Sequence, residues 1–387
     1  MMNRSTIYLF IAIFTAVSFV LRPQPLLAGD GSSSGTDGDL DPKSLVLEHI
    51  GDSYWWHIGT FGGRSVSLYL PVIVHSSADG GGWHCFSSRK LAGGASWEGF
   101  SIAGDGKYEG KIVETLPDGA EVRPFDLSIT KTVAALFIDC VIVLLAILIP
   151  AGWYRRRKDD ARTNPKGFTA FLEMAIEGLE NDLIKPCVGD NWKRFSPYLL
   201  TVFFFILVCN LMSLIPFFPG GVNVTGNITV TFVLAFASFL AVNIFGGRAY
   251  WKDVFWPEVP TWLKVPVPII PLIEFVGIFT KPFALMIRLF ANMVGGHAAI
   301  LCLICLIFVT AGMGTAVNGS MTAVSVLFAV FMNVLEVLVA FLQAYVFTML
   351  SGVFIGLAQE GKKPDKNEME IKSISNKTIK NSELWQN

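Results

Sequence analysis

Three side chains in the last third of the 387-residue chain have types suited to chemistry: Arg288, His297 and Glu336, each set in an almost wholly apolar run between Lys281 and Glu360. An ionised group at bilayer depth is costly and marks function by default. Arginine is the sharpest case, because guanidinium, with a pKa above about 12, keeps its charge where lysine or histidine can shed it. Such a cation cannot relay a proton. At close range in low dielectric it favours the ionised form of an approaching carboxylate, forcing proton release, and it repels a hydrated proton seeking a direct route across. His297 and Glu336 are of the opposite kind. Imidazole, with an ordinary pKa of about 6.5, and a buried carboxylate can both load and unload a proton near neutral pH. One site blocks and the other conducts.

The elements that must hold these groups are two long apolar segments, at 282–310 and 321–358. The run Ala-Gly-Met-Gly-Thr-Ala-Val-Asn-Gly-Ser joins them as a turn centred near Ala316. As a single helix the second segment would be roughly 57 Å long, against a hydrocarbon layer of about 30 Å, so a steeply tilted antiparallel hairpin is expected. Arg288 lies 28 residues before Ala316 and Gln343 27 after; His297 lies 19 before and Glu336 20 after. The hairpin therefore sets Arg288 at the depth of Gln343, and His297 at the depth of Glu336, giving each polar group a partner. At about 100° per residue, Ala284, Arg288, Asn292, Gly295 and Ala299 share one face of the first helix. Asn333, Glu336, Ala340 and Gln343 share one face of the second. Both faces are small and polar, which lets something pass close. His297 is half a turn out of phase with Arg288 and should face away from that stripe. No second buried carboxylate faces Arg288, so an acid that visits it must come from a partner.

Composition agrees with a membrane setting. Hydrophobic residues make up 52% of the chain and charged ones 16%, against about 25% charged in soluble domains. A net charge of −1 with no basic, aromatic-interleaved patch sets nucleic-acid binding aside. Six cysteines give no disulfide framework, since Cys140, Cys209, Cys302 and Cys305 lie in apolar segments and only Cys85 clearly lies in the exported region. His49, His57, His75 and His84 form no metal-motif spacing, so neither a metal nor another cofactor is expected.

Residues 1–28 read as a secretory signal: Arg4, an apolar stretch from Ile7 to Leu21, and Leu-Leu-Ala-Gly around Ala28. A periplasmic region with some β-structure, 29–127, follows; runs such as Ser-Val-Ser-Leu-Tyr-Leu-Pro-Val-Ile-Val suggest its strands. The membrane domain, 128–360, has spans expected at 129–151, 197–216 and 227–246 ahead of the hairpin. A cytoplasmic tail occupies 361–387. Positive charge after the first span (Tyr-Arg-Arg-Arg-Lys), after the third (Arg248, Lys252) and in the tail puts the amino terminus outside and the carboxyl terminus inside. Residues 165–184 repeat Phe168, Phe171, Leu172, Ala175, Ile176, Leu179 and Leu183 at helical spacing. They predict an amphipathic cytoplasmic helix packed against the spans. The Pro-rich run Val265 to Pro271 is too broken for a full crossing. The fold class is an all-α membrane protein of about five embedded helices plus this amphipathic helix, with a small β-containing amino-terminal region.

The run Leu-Met-Ile-Arg-Leu-Phe-Ala-Asn-Met-Val-Gly-Gly-His, from Leu285 to His297, resembles the arginine signature of subunit a of F-type ATP synthases. The stretch from Pro197 to Pro216, the run Asn227 to Thr231, and Leu-Gln-Ala-Tyr-Val-Phe from Leu342 are similar to the same family. The resemblance covers about 125–360. It implies a stator, not catalytic by itself, in a bacterial inner membrane, beside a rotating ring of small proteolipid subunits that each carry one membrane carboxylate, with peripheral-stalk subunit b and lipid as further neighbours. Protons enter by one half-channel, ride the ring and leave by another. The family's arginine, here Arg288, separates the two, and Asn292 and Gln343 match polar residues lining that interface. His297 and Glu336 match a carboxylate–imidazole pair in the access channel, and Glu274, with Lys281, matches the exit end. The long amino-terminal region resembles extended versions in the Bacteroidetes. The alternative is a self-contained secondary ion transporter, but the internal repeats expected of one are not visible.

Overall fold

The computed structural model describes residues 51–61, 64–76, 81–104, 108–116, 121–156, 165–215, 218–255 and 269–360. The signal segment, the run from Val265 to Pro268 and the tail 361–387 lie outside the described residues.

Alternating sequence builds the first part. Strands β1 (Trp55–Phe61) and β2 (Arg64–Tyr69) form an antiparallel hairpin, and β3 (Pro71–His75) pairs antiparallel with both β4 (Trp83–Ser87) and β8 (Phe125–Asp126). A third sheet has the order β5 (Phe100–Ile102), β6 (Ile112–Thr115), β7 (Glu121–Val122). Because strand side chains alternate between faces, Val72 and Val74 of β3 are buried while Pro71 is exposed. They meet Tyr54, Phe86, Leu91, Phe100 and Ile112 in a small core.

Apolar blocks build the second part. Its helices are α1 (Lys131–Arg156), α2 (Phe168–Gly178), α3 (Lys185–Val188), α4 (Trp192–Leu214), α5 (Ile228–Phe245), α6 (Arg248–Phe255), α7 (Ile269–Val309) and α8 (Thr315–Glu360). Among the described residues, five stretches are long and apolar enough to cross a membrane: Lys131–Arg155, Phe168–Leu214, Ile228–Phe245, Leu272–Val309 and Ala316–Gln359. The chain is a multi-pass, mainly helical membrane protein with a small β region ahead of its first span. Asp52 ties the two parts together. Its Oδ1 accepts from the Thr132 backbone N–H at 3.2 Å and from Thr132 Oγ1 at 2.9 Å, capping α1 at the positive end of its dipole.

α4 sits at the centre, against α1 and α8, with Leu199, Ile206 and Cys209 fully buried. α7 and α8 pack along one another and would be about 62 and 69 Å long, each roughly twice the hydrocarbon thickness. The turn between them differs from expectation. α8 begins at Thr315 rather than near Met321, because the reversal is concentrated at Gly314, whose φ of +101° suits glycine. Asn318, inside the expected loop, instead closes the first turn of α8 by donating its backbone N–H to Gly314 O at 2.9 Å. α7 likewise starts at Ile269, so the last residues of the Pro-rich run form its first turn, where a proline lacks only an N–H that has no helical partner.

The amphipathic helix is also corrected in part. Leu172, Leu183 and Ile184 are buried against the spans, but Phe168, Phe171 and Met174 are exposed, and Leu179–Ile184 is a π-helical turn that resets the helical phase. Periodicity identifies the apolar arc without saying how much of it is packed.

Candidate functional site

α7 turns two faces in opposite directions. Leu285, Leu289 and Met293 are buried, whereas Ala284, Arg288, Asn292 and Gly295 point out of the subunit. Arg288 lines an open cavity of about 340 Å³ with Thr280, Lys281, Ala284, Leu285, Leu350 and Phe354. Among the described residues it has no hydrogen bond or ion pair, and neither has Gln343, which is buried on α8 beside Ala340. The hairpin that sets these two at similar depth does not join them, since their helices are rotated so that one faces outward and the other inward. Asn333 lies at the edge of the α8 stripe and is exposed, its amide donating to Ala329 O at 2.8 Å.

The titratable pair is brought into contact. His297 Nδ1 and Glu336 Oε1 are 3.1 Å apart, with side chains 13% and 4% exposed. The other oxygen, Glu336 Oε2, is buried without a hydrogen-bond partner among the described residues. Glycine makes the approach possible, because a Cβ on Gly296 would stand 2.8 Å from Glu336 Oε1, while one on neighbouring Gly295 would meet nothing.

Two amides bind the backbone one helical turn from the pair, and a hydroxyl holds one of them. Asn210 on α4 donates to Ala340 O at 3.2 Å, one helical turn beyond Glu336, and accepts from Thr225 Oγ1 at 2.7 Å. Asn223 donates to Met293 O at 3.1 Å, one turn before His297. At the far end of α7, away from the strands, Lys281 Nζ lies 3.9 Å from Glu274 Oε1, and both side chains are half-exposed. Burial, and secondarily the Glu274 carboxylate, push the nearby Tyr250 phenol above its ordinary range.

A family model described as ATP synthase A chain matches residues 136–356, more than half of the chain. The chain belongs to that family. A protein named ATP synthase subunit a 2 from Chlorobaculum tepidum is 44% identical over 243 residues, covering 62% of this chain and 65% of its own length. ATP synthase subunit a from Chloroherpeton thalassium is 42% identical over 243 residues (62% and 68%). Its namesake from Anaeromyxobacter is 35% identical over 307 residues (74% and 69%). The match to the Chlorobaculum protein thus spans slightly under two thirds of that relative. A second model, for a domain of unknown function (DUF8433), matches residues 45–129, the strand part. The arginine-bearing helix, the His297–Glu336 contact and the polar belt around it all fall inside the segment that defines the family.

Sequence reading missed Asp139. This carboxyl sits on α1 in the middle of an apolar run, 2% exposed, beside the Cys209 thiol, with Oδ2 unpartnered among the described residues. The signal was available, since a lone acid inside a span is costly. Asn223 and Thr225 were invisible for a different reason: in sequence they are ordinary loop residues, and only the fold buries them.

Proposed function

We propose that the chain is the proton-translocating stator subunit of an F-type ATP synthase. It provides two half-channels to and from carboxylates carried by a ring of small proteolipid subunits, so that proton flow is coupled to rotation and ATP synthesis. The observation that carries this reading is the outward face of Arg288. A guanidinium exposed on its own subunit within an apolar helix is too costly to leave in hydrocarbon, and a partner that brings a carboxylate to it removes that cost.

Arg288 then stabilises the ionised acid, so each ring carboxylate arriving beside it releases its proton, and the fixed positive charge keeps a free proton from crossing between the half-channels. His297 and Glu336 serve the access path, with one proton passing along the 3.1 Å contact. Asn292 shares the outward stripe with Arg288, Gln343 lies at similar depth on α8, and Glu274 serves the exit end. The strands face the periplasm, the carboxyl terminus the cytoplasm of a bacterial inner membrane, and subunit b is a further partner. The chain does no covalent chemistry itself.

In membrane vesicles holding the whole complex, Arg288→Ala should abolish ATP-driven proton pumping while the subunit still co-purifies with the ring. Normal coupled pumping by that variant, or ion transport by the isolated chain in vesicles, would overturn the reading.

A further inference from the structure

We propose that the strand domain is a clamp for the loop that packs beside the titratable pair, and that Trp56 is the positioning residue through which it acts. This rests on the half-channel reading above and adds that protons reach His297 and Glu336 from the side of the strands. The loop between α4 and α5 carries Val222, Val224 and Thr225, all buried. Its Thr225 holds Asn210 and its Asn223 holds Met293 O, so the loop is seated on the groups that flank the pair. Two glycines let it lie this close. A Cβ on Gly220 would come within 2.7 Å of Met212 O and Ile215 O, and one on Gly226 would stand 2.5 Å from the Asn223 amide.

The other side of the loop is held by the strand domain. Trp56, in β1, is 5% exposed, yet it belongs to the core of the membrane helices, with Val222, Val224 and Ile206, and not to the core of its own sheets. Its ring meets Phe218 edge-on, with centroids 5.0 Å apart at 65°. The neighbouring residues stop the domain from swinging away. Asp52 caps α1, Ser53 O accepts from Lys131 N at 2.9 Å, and Tyr54 OH donates to Asp126 Oδ2 at 2.7 Å. The sheets have their own core in Tyr54, Val72, Val74 and Phe100, so Trp56 is spare for the domain's folding and is placed where it stiffens the loop beside the access path. A loop held from outside keeps one wall of the route to the pair in place; released, it opens locally and the route widens.

The test uses the assembled complex in vesicles whose strand side faces out. Val224, fully buried, is replaced by cysteine (Val224→Cys) in a Cys85→Ser background, and its reaction with a membrane-impermeant maleimide is read on the isolated peptide. Trp56→Ala should raise that rate by about tenfold, Trp56→Leu by less, and Trp56→Phe hardly at all. In vesicles of the opposite orientation, where added ATP reaches the complex, the pH profile of ATP-driven pumping should shift in the same order. Trp83→Ala removes an aromatic that is 60% exposed on the same domain and packs on His75 and Phe125, so it should do neither. An unchanged rate in Trp56→Ala, or an equal rise in Trp83→Ala, would overturn the proposal. If Trp56→Ala fails to assemble, the Trp56→Leu variant carries the same expectation, and an unchanged rate there overturns it. Labelling needs no proton flow, so this result stands apart from the fate of the Arg288→Ala experiment.

Discussion

The central helices and the long hairpin are made of similarly apolar sequence but are packed very differently. Half of the most apolar window of Phe168–Leu214 is buried within the chain, against 11% and 17% for the windows of Leu272–Val309 and Ala316–Gln359. Around α4, side chains from α1, α5 and α8 close a core with no outside help. On the hairpin, Leu327, Val330, Val334 and Leu338 of α8 and Phe283 of α7 stay exposed. Lipid tails solvate apolar residues as well as a neighbouring helix does, so such faces alone do not require a partner. Arg288 among them is the costly exception. The difference separates a part that stores stability from a part that is left open for work.

That contrast can be broken most directly at the pair. Glu336→Ala and His297→Ala should each lower ATP-driven pumping by about a hundredfold, with little loss of subunit from the membrane. Exchanging the two residues should be milder than losing either, because the contact keeps one acid and one imidazole. If the exchange were as damaging as both losses together, the 3.1 Å contact would be incidental to transport.

A second comparison weighs stability. Ile206→Ala empties space in the fully buried centre of α4 and should destabilise the subunit by about 3 kcal/mol, seen as a lower thermal midpoint in detergent. Val334→Ala, on the exposed face of α8, should leave that midpoint unchanged, because it opens no cavity inside the subunit. Equal midpoints for the two variants would erase the distinction drawn between the regions.

The smallest effect is expected at the glycine pair. Gly296→Ala pushes a methyl group against Glu336 Oε1 and should slow pumping by about fivefold and shift its pH profile, since a small displacement of a reacting group costs rate. Gly295→Ala, with open space at its Cβ, is the matched control and should change the rate by less than about twofold. Adding Glu336→Asp to Gly296→Ala should restore part of the loss, because the shorter acid withdraws from the methyl group.

Depth in the membrane was legible in the sequence. Rise per residue is a property of the helix itself, so counting from the turn placed His297 opposite Glu336 even though the reversal proved to lie at Gly314 instead of Ala316. Relative phase within one helix was legible as well: His297 turns inward while the Arg288 stripe turns out. The rotation of one helix against its neighbour was not, and this is why Arg288 and Gln343, although similar in depth, do not meet. Phe168 and Phe171 were misjudged for the same reason, because an apolar arc on α2 does not reveal how much of itself is covered.

By itself, then, the sequence determined the solvent, the count of crossings, the depth of each polar group and the family signature, all of which follow from local composition and a fixed helical repeat. Tertiary structure alone decided which stripe of α7 is left facing outward. It also seated Asn223 and Thr225 beside the pair, set Asp52 at the head of α1, and placed Trp56 of the strands in the core of the helices. These are contacts between residues far apart in the chain, set by how whole elements pack, and no local pattern encodes them.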